Sequence, residues 1–143
     1  MLCNIIRLES KTSDKWTLLH HVCSFLIGFW HEQARLDAGH YIQVHCDNVA
    51  SGGLSNFDPC RLCTDQGHPY DCKSFMHYGR FSAAIDSSMP TISAIPGKCN
   101  DDDLTYDKTE LSYWDVRDIN KMYECVRGKL LCIPCTEVIK YTF

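Results

Sequence analysis

The residues best suited to chemistry are two histidines, His21 and His31, which flank Gly28 at a distinctive spacing. In the pattern H-E-x-x-H-x-x-G-x-x-H the first two histidines share one face of a helix, and the glycine turns the chain so that the third reaches the same zinc ion. The zinc acidifies a bound water, and the glutamate accepts its proton. The spacing in this chain therefore indicates a site related to those in which zinc activates a water molecule.

Two positions of this pattern carry residues that cannot perform their part. Counting back from Gly28, the first ligand falls on His21, the general base on Val22 and the second ligand on Phe25. Valine has no atom that accepts a proton, and phenylalanine has none that binds a metal. We therefore expect zinc to bind weakly or not at all, and any bound water to lack its base.

Two longer runs of sequence carry a family resemblance. Residues 28–37 read G-F-W-H-E-Q-A-R-L-D, and residues 69–79 read P-Y-D-C-K-S-F-M-H-Y-G. They are similar to the G-F-x-H-E-x-x-R-x-D run and to the P-Y-D-x-x-S-x-M-H-Y-G Met-turn run of the astacin family of metzincins. From Gly28 to Cys125 the chain resembles the C-terminal part of an astacin-family zinc metalloendopeptidase. Weaker similarities lie at Tyr41-Ile42, Asn48-Val49, Ser55-Asn56-Phe57, Thr91-Ile92 and residues 112–125.

The resemblance implies roles for individual residues. His21 and His31 would be the first and third zinc ligands, and Met76 would form an apolar floor beneath the metal. Tyr78 would contact zinc at rest and stabilise the oxyanion during peptide hydrolysis. Glu32 would occupy the buried acidic position that receives the mature N-terminus in active members. The predicted site therefore comprises Tyr78 as the catalytic residue, His21 and His31 as ligands, and Gly28, Glu32 and Met76 as structural residues around it.

The segment before Gly28 leaves two explanations open. In the family an N-terminal half with a substrate-holding sheet precedes this point, whereas 27 residues precede Gly28 in this sequence. Residues 1–26 are either foreign sequence joined to a truncated protease domain, or part of a pseudoprotease that has lost its base and its second ligand. Neither explanation predicts activity for the chain as written.

Composition narrows the class of protein. A length of 143 residues predicts one domain, and a net charge of −4 with a pI near 5.9 argues against a nucleic-acid partner. The apolar stretch from Trp16 to Trp30 is interrupted by His20 and His21 and is too short to span a membrane, so no membrane partner is expected. Ten cysteines indicate an oxidising compartment and hence a secreted protein.

Half of the cysteines surround the Met-turn run. Cys60 and Cys63 precede it, Cys72 lies within it before Met76, and Cys46 and Cys99 lie in flanking irregular stretches, so we expect these five to staple long loops. The resemblance implies that Cys125 pairs with a cysteine of the N-terminal half, which would leave it free or mispaired here. The two C-x-x-C pairs, Cys60 with Cys63 and Cys132 with Cys135, are weak zinc-knuckle signals because no matching second pair stands at suitable spacing.

The resemblance implies that the elements positioning these residues form an α+β, metzincin-like domain, truncated to an active-site helix, a loop-rich disulfide-stapled C-terminal lobe and a closing helix. The first helix is predicted from about Lys15 to Ile27, where Gly28 ends it. Residues 33–113 are predicted to be loop-rich, with glycines and prolines at the turns. Ser112-x-x-Asp115 is a capping signal, and apolar residues at helical spacing predict a second helix from Ser112 to about Glu124.

These elements predict three regions: an unassigned N-terminus at 1–14, the C-terminal part of an astacin-like catalytic domain at 15–125 and an unassigned tail at 126–143. The function predicted is that of a secreted zinc metalloendopeptidase domain, incomplete and catalytically impaired as written. The alternatives are a non-catalytic, disulfide-rich module that binds proteins and a structural fragment with no ligand. Protein or peptide substrates are expected only for a full-length form.

Overall fold

The structure is a computed structural model, and it describes residues 28–108 and 110–123. The predicted helix at 15–27, with His21, Val22 and Phe25, lies outside the described residues. So do Cys125, the tail at 126–143 and the region boundaries at 14/15 and 125/126. Within the described ranges, no helix is both long and apolar enough to cross a bilayer.

Two short strands form an antiparallel pair near the centre of the domain. β1 spans Ile42–Val44 and β2 spans Ile92–Ala94, and Gln43 lies opposite Ser93 in the register. β-Branched residues favour strands because their side chains pack well on a pleated surface. Ile42 and Ile92 are 3% and 0% exposed, so the pair anchors the core. The other buried members of this core are Ala38, Tyr70, Cys72, Cys99 and Leu104.

The remainder of the middle region is irregular, as the sequence predicted. It contains short 3-10 turns at Glu32–Ala34, Ala38–His40, Cys46–Asn48, Leu54–Phe57 and Asp101–Asp103. Three of the predicted turn glycines, Gly52, Gly67 and Gly97, have φ angles of 87°, 75° and 78°. Side chains with a Cβ rarely adopt this left-handed region, which explains glycine at these turns.

Two disulfides staple this region, and they differ in setting. Cys72–Cys99 joins residues 27 apart within the buried core, whereas Cys60–Cys63 closes a short ring in an exposed loop. The disulfide at Cys60–Cys63 excludes a thiolate zinc knuckle at that pair. Cys46 is exposed and pairs with no cysteine in the described part of the chain, so the expectation that it staples a loop was wrong.

Among the described residues, helix α1 spans Tyr113–Met122 and confirms the predicted closing helix over its described length. Its N-terminus is a capping box: the Asp115 N–H donates to Ser112 Oγ at 3.0 Å, and the Ser112 N–H donates to Asp115 Oδ2 at 2.9 Å. Ile119 is buried against Phe29 and Leu111. Met122, in the last turn of the same helix, is 36% exposed.

Candidate active site

The structure brings two of the predicted site residues together. The rings of His31 and Tyr78 meet edge to face, with their centroids 4.7 Å apart. Their segments are joined twice by hydrogen bonds: the Glu32 N–H donates to the Met76 carbonyl at 3.2 Å, and the Tyr78 N–H donates to Gln33 Oε1 at 3.2 Å. The segment after Gly28 and the predicted Met-turn, residues 74–78, are therefore one packed unit.

Gln33 is a positioning residue that the sequence analysis missed. Its side chain is buried, accepts from the Tyr78 N–H and donates from Nε2 to the Asn56 carbonyl at 3.3 Å. A buried amide needs such partners, because each unpaired group carries a desolvation penalty. No signal in the sequence distinguished Gln33 from a solvent-exposed glutamine.

The Met-turn rests on the N-terminus of α1. The Ser74 hydroxyl donates to Asp115 Oδ1 at 2.7 Å, and the Phe75 N–H donates to Asp115 Oδ2 at 2.7 Å. Ser74 Oγ in turn accepts from the Met76 N–H at 3.0 Å. Met76 is 3% exposed, as an apolar floor requires. Asp115 thus caps the helix and holds the Met-turn, and only the first of these contributions was visible in the sequence.

His77, the histidine of the Met-turn, is fully engaged within the protein. Its Nδ1 lies 2.7 Å from the Tyr78 carbonyl, and its Nε2 lies 2.7 Å from the Tyr70 hydroxyl. A carbonyl can only accept, so Nδ1 carries the proton and Nε2 accepts from Tyr70. Burial lowers the pKa of His77 to about 3, which keeps the ring neutral. His77 is therefore a structural residue and has no nitrogen left for a metal.

Glu32 lies in a largely enclosed acidic position. Its side chain is 16% exposed, and Oε1 accepts from the Asp71 N–H at 2.8 Å and faces Arg35 Nη1 at 3.2 Å. Burial raises the pKa of Glu32 to about 7, against the opposing effects of Arg35 and of the Asp71 N–H. Among the described residues, Glu32 is thus paired with Asp71 and Arg35, which belong to the same C-terminal lobe.

Two histidines in loops, His45 and His68, make contacts of their own. His45 Nε2 is 2.8 Å from Ser93 Oγ, and His68 packs on Trp114 and contacts Asp118. Over residues 28–108 and 110–123, no group of three or more His, Cys, Asp or Glu side chains is arranged to hold a metal ion.

The residues present do not fit a three-histidine zinc site. His31 is the one predicted ligand among the described residues, and it lies against the Tyr78 ring. The sequence adds His21 and places Phe25 at the remaining ligand position. Two imidazoles fall short of the three protein ligands that catalytic zinc takes.

A cavity of about 1060 Å³ opens beside Tyr78. Phe75 and Leu104 are buried at its base, and the half-exposed Phe81 and the more exposed Tyr106 also line it. Its other lining residues include Arg80, Lys108, Asp101 and Asp102. A Cβ on Gly79 would lie 2.9 Å from the Tyr106 backbone nitrogen, so only glycine allows this close approach.

Comparison with known proteins agrees with this geometry. The model of the peptidase family described as Astacin matches residues 4–124. The chain is 30% identical over 124 residues to Meprin A subunit alpha of Rattus norvegicus, covering 85% of this chain and 16% of the relative. It is 33% identical over 122 residues to Zinc metalloproteinase nas-14 of Caenorhabditis elegans, covering 84% and 23%.

A solved structure confirms the expected fold. High choriolytic enzyme 1, a hatching enzyme zinc-protease from the medaka fish Oryzias latipes, superposes with a TM-score of 0.70 at 29% identity, covering 77% of this chain and 53% of that chain. The chain spans well under two thirds of the length of these relatives. The expected α+β, metzincin-like fold is therefore correct. By its sequence match and its fold, the chain belongs to the astacin family of peptidases.

Proposed function

We propose that this chain is an astacin-family peptidase domain whose metal centre is impaired, so that it binds zinc weakly and does not cleave peptide bonds as it stands. The observation that carries the proposal is the pair of residues at the base and second-ligand positions, Val22 and Phe25. The family match begins at residue 4 and includes both positions. This favours substitution within a family domain over foreign sequence joined at residue 26.

Three of the described residues, Tyr78, Met76 and His31, would contribute to a peptidase site. Burial raises the pKa of Tyr78, so its phenol stays protonated and able to donate a hydrogen bond to a developing oxyanion. Met76 provides the apolar floor, and His31 lies beside Tyr78. What is lacking is a proton acceptor for water, and without one the retained groups have no nucleophile to act with.

A second candidate function is a non-catalytic module that binds a protein or peptide. It is favoured by the cavity beside Tyr78, whose partly exposed aromatic residues Phe81 and Tyr106 offer a contact surface.

The net charge of −4 argues against nucleic acid as the partner, and no membrane partner is proposed. Disulfides at Cys60–Cys63 and Cys72–Cys99 support secretion, because such bonds persist in oxidising compartments.

Hydrolysis of a quenched peptide library, with zinc content measured after dialysis, tests the proposal on the full 143-residue chain. We expect no turnover above that of the Tyr78→Phe and His31→Ala variants, and less than one equivalent of retained zinc. Turnover that a chelator abolishes and that either variant loses would overturn the proposal. Peptides retained without cleavage would favour the binding module, and their binding should weaken in Phe81→Ala.

A further inference from the structure

The geometry points to the Cys60–Cys63 disulfide as a reversible thiol-exchange site, which small thiols open in the folded protein while Cys72–Cys99 stays closed. This inference is independent of the proposed function. Its ligand class is a low-molecular-weight thiol such as glutathione. The reaction would modify the loop covalently without unfolding the domain.

Accessibility separates the two disulfides. Exchange requires a thiolate to reach a disulfide sulfur, so access to the bond sets its rate. Cys60 and Cys63 are half-buried, and the two residues between them are exposed, with Leu62 97% exposed. Cys72 and Cys99 are 9% and 6% exposed and belong to the main hydrophobic core. An external thiol can therefore approach the first bond and is excluded from the second.

Ring size separates them in the same direction. A disulfide stabilises a fold mainly by restricting the unfolded chain, and the effect grows with the length of the closed loop. Cys72–Cys99 links residues 27 apart, whereas Cys60–Cys63 links residues only 3 apart. Opening the shorter ring should therefore cost the fold little.

The loop that carries Cys60–Cys63 has anchors that do not depend on the bond. The Cys60 N–H donates to the buried Ala34 carbonyl at 2.7 Å. At the far end of the loop, Arg35 Nη2 donates to the His68 carbonyl at 3.1 Å and Nη1 donates to the Pro69 carbonyl at 3.4 Å. These contacts keep both ends of the loop in place after the bond opens, so that it can close again.

The exchange proceeds in two balanced steps. A thiolate attacks one sulfur of the Cys60–Cys63 bond, forms a mixed disulfide with it and releases the other cysteine as a thiolate, which takes up a proton. A second external thiolate then attacks the mixed disulfide on its external sulfur and releases the first cysteine. In sum, the protein disulfide is reduced to two thiols, and two external thiols are oxidised to one disulfide.

The test is graded treatment of the native full chain with reduced glutathione, followed by alkylation and peptide mass mapping. We expect alkylation or glutathionylation at Cys60 and Cys63 to appear roughly tenfold faster or more than at Cys72 and Cys99. The exposed thiol of Cys46 should be alkylated without reductant and serves as the internal reference. Equal rates at the two disulfides, or modification of Cys60 and Cys63 only once the chain unfolds, would overturn the inference.

Variants separate external exchange from other causes. The double variant Cys60→Ser, Cys63→Ser should abolish the fast phase of modification, which we assign to Cys60 and Cys63, and should leave Cys46 labelling unchanged. Cys46→Ser should leave the fast phase intact, and its loss there would assign the exchange to an internal thiol and overturn the proposal. Urea denaturation of the glutathione-opened chain should give a midpoint close to that of the untreated chain. A large shift of the midpoint would contradict opening of the bond at little cost to the fold.

Discussion

The Met-turn and the ligand-bearing segment before Gly28 belong to one predicted site, yet only the second carries substitutions at its key positions. In the Met-turn region, Ser74 and Asp115 are buried, and each makes several hydrogen bonds. In the predicted ligand segment, the apolar residues Val22 and Phe25 stand where the family pattern has a proton acceptor and a metal ligand.

The difference lies in what each residue does for folding. Removing Ser74 or Asp115 strands buried donors without a partner, which destabilises the domain directly. Valine and phenylalanine lack the proton acceptor and the metal-binding atom that the family pattern has at positions 22 and 25. Ser74 and Asp115 therefore contribute to folding as well as to the predicted site.

The largest effect should come from restoring the ligand segment. Val22→Glu combined with Phe25→His supplies a third imidazole and a base. Loss of a residue that only supports a metal ligand already lowers metal affinity by up to about 100-fold, so we expect a restored ligand to raise zinc affinity by more than about 100-fold. Zinc retained after dialysis, measured by atomic absorption, checks this, and metal binding should recover before any activity. Val22→Gln with Phe25→Leu is the matched control, and an affinity equal to that of the control would show that the fault lies elsewhere.

Breaking the Met-turn framework should produce the next largest effect. Asp115→Ala leaves the Ser74 hydroxyl and the Phe75 and Ser112 N–H groups without their acceptor, at about 1–3 kcal/mol for each stranded group. We expect a loss of about 3 kcal/mol or more in the free energy of unfolding, measured by urea denaturation. Asp102→Ala, at an exposed carboxylate, should change it by less than about 0.5 kcal/mol. Equal losses in the two variants would contradict the assigned contacts.

The pH dependence of stability sharpens the same contrast. The folded protein keeps His77 neutral down to a pKa of about 3, whereas the unfolded chain takes up a proton below the ordinary histidine pKa of 6.5. The unfolded state therefore binds more protons in this window, and the free energy of unfolding falls as the pH drops from 6.5 towards 3. His77→Gln should flatten this fall in urea titrations. His40→Gln, at an exposed histidine, should leave it unchanged, and parallel curves for all three proteins would refute the buried, neutral ring.

A smaller effect of opposite sign is expected at Glu32, whose N–H donates to the Met76 carbonyl. Burial raises its pKa from 4.5 in the unfolded chain to about 7 in the fold, so the folded state holds a proton that the unfolded state has lost. The free energy of unfolding therefore falls as the pH rises from 4.5 to 7. Glu32→Gln should remove this contribution, while Glu110→Gln, at an exposed carboxylate, should not. The absence of any difference between the two variants would exclude the shift.

Much of the local structure could be predicted from sequence because its causes are local. The Ser112-x-x-Asp115 capping signal predicted the start of α1, and glycines predicted turns where φ is positive. The pairing of β1 with β2 could not be predicted, since the strands are three residues each and far apart in the chain. The exposure of Met122 and the unpaired state of Cys46 also depended on neighbours that no spacing rule identifies.

The sequence by itself determined which side chains stand at the predicted base and ligand positions. No fold can give Val22 a basic atom or Phe25 a metal-binding one, so their identity alone predicts the weak metal centre. The tertiary structure decided which polar residues hold the remaining site together. Asp115 meets Ser74 across 41 positions, and Tyr78 meets Gln33 across 45. Burial also set the protonation of His77 and Glu32, because desolvation depends on the packed surroundings and not on the residue type.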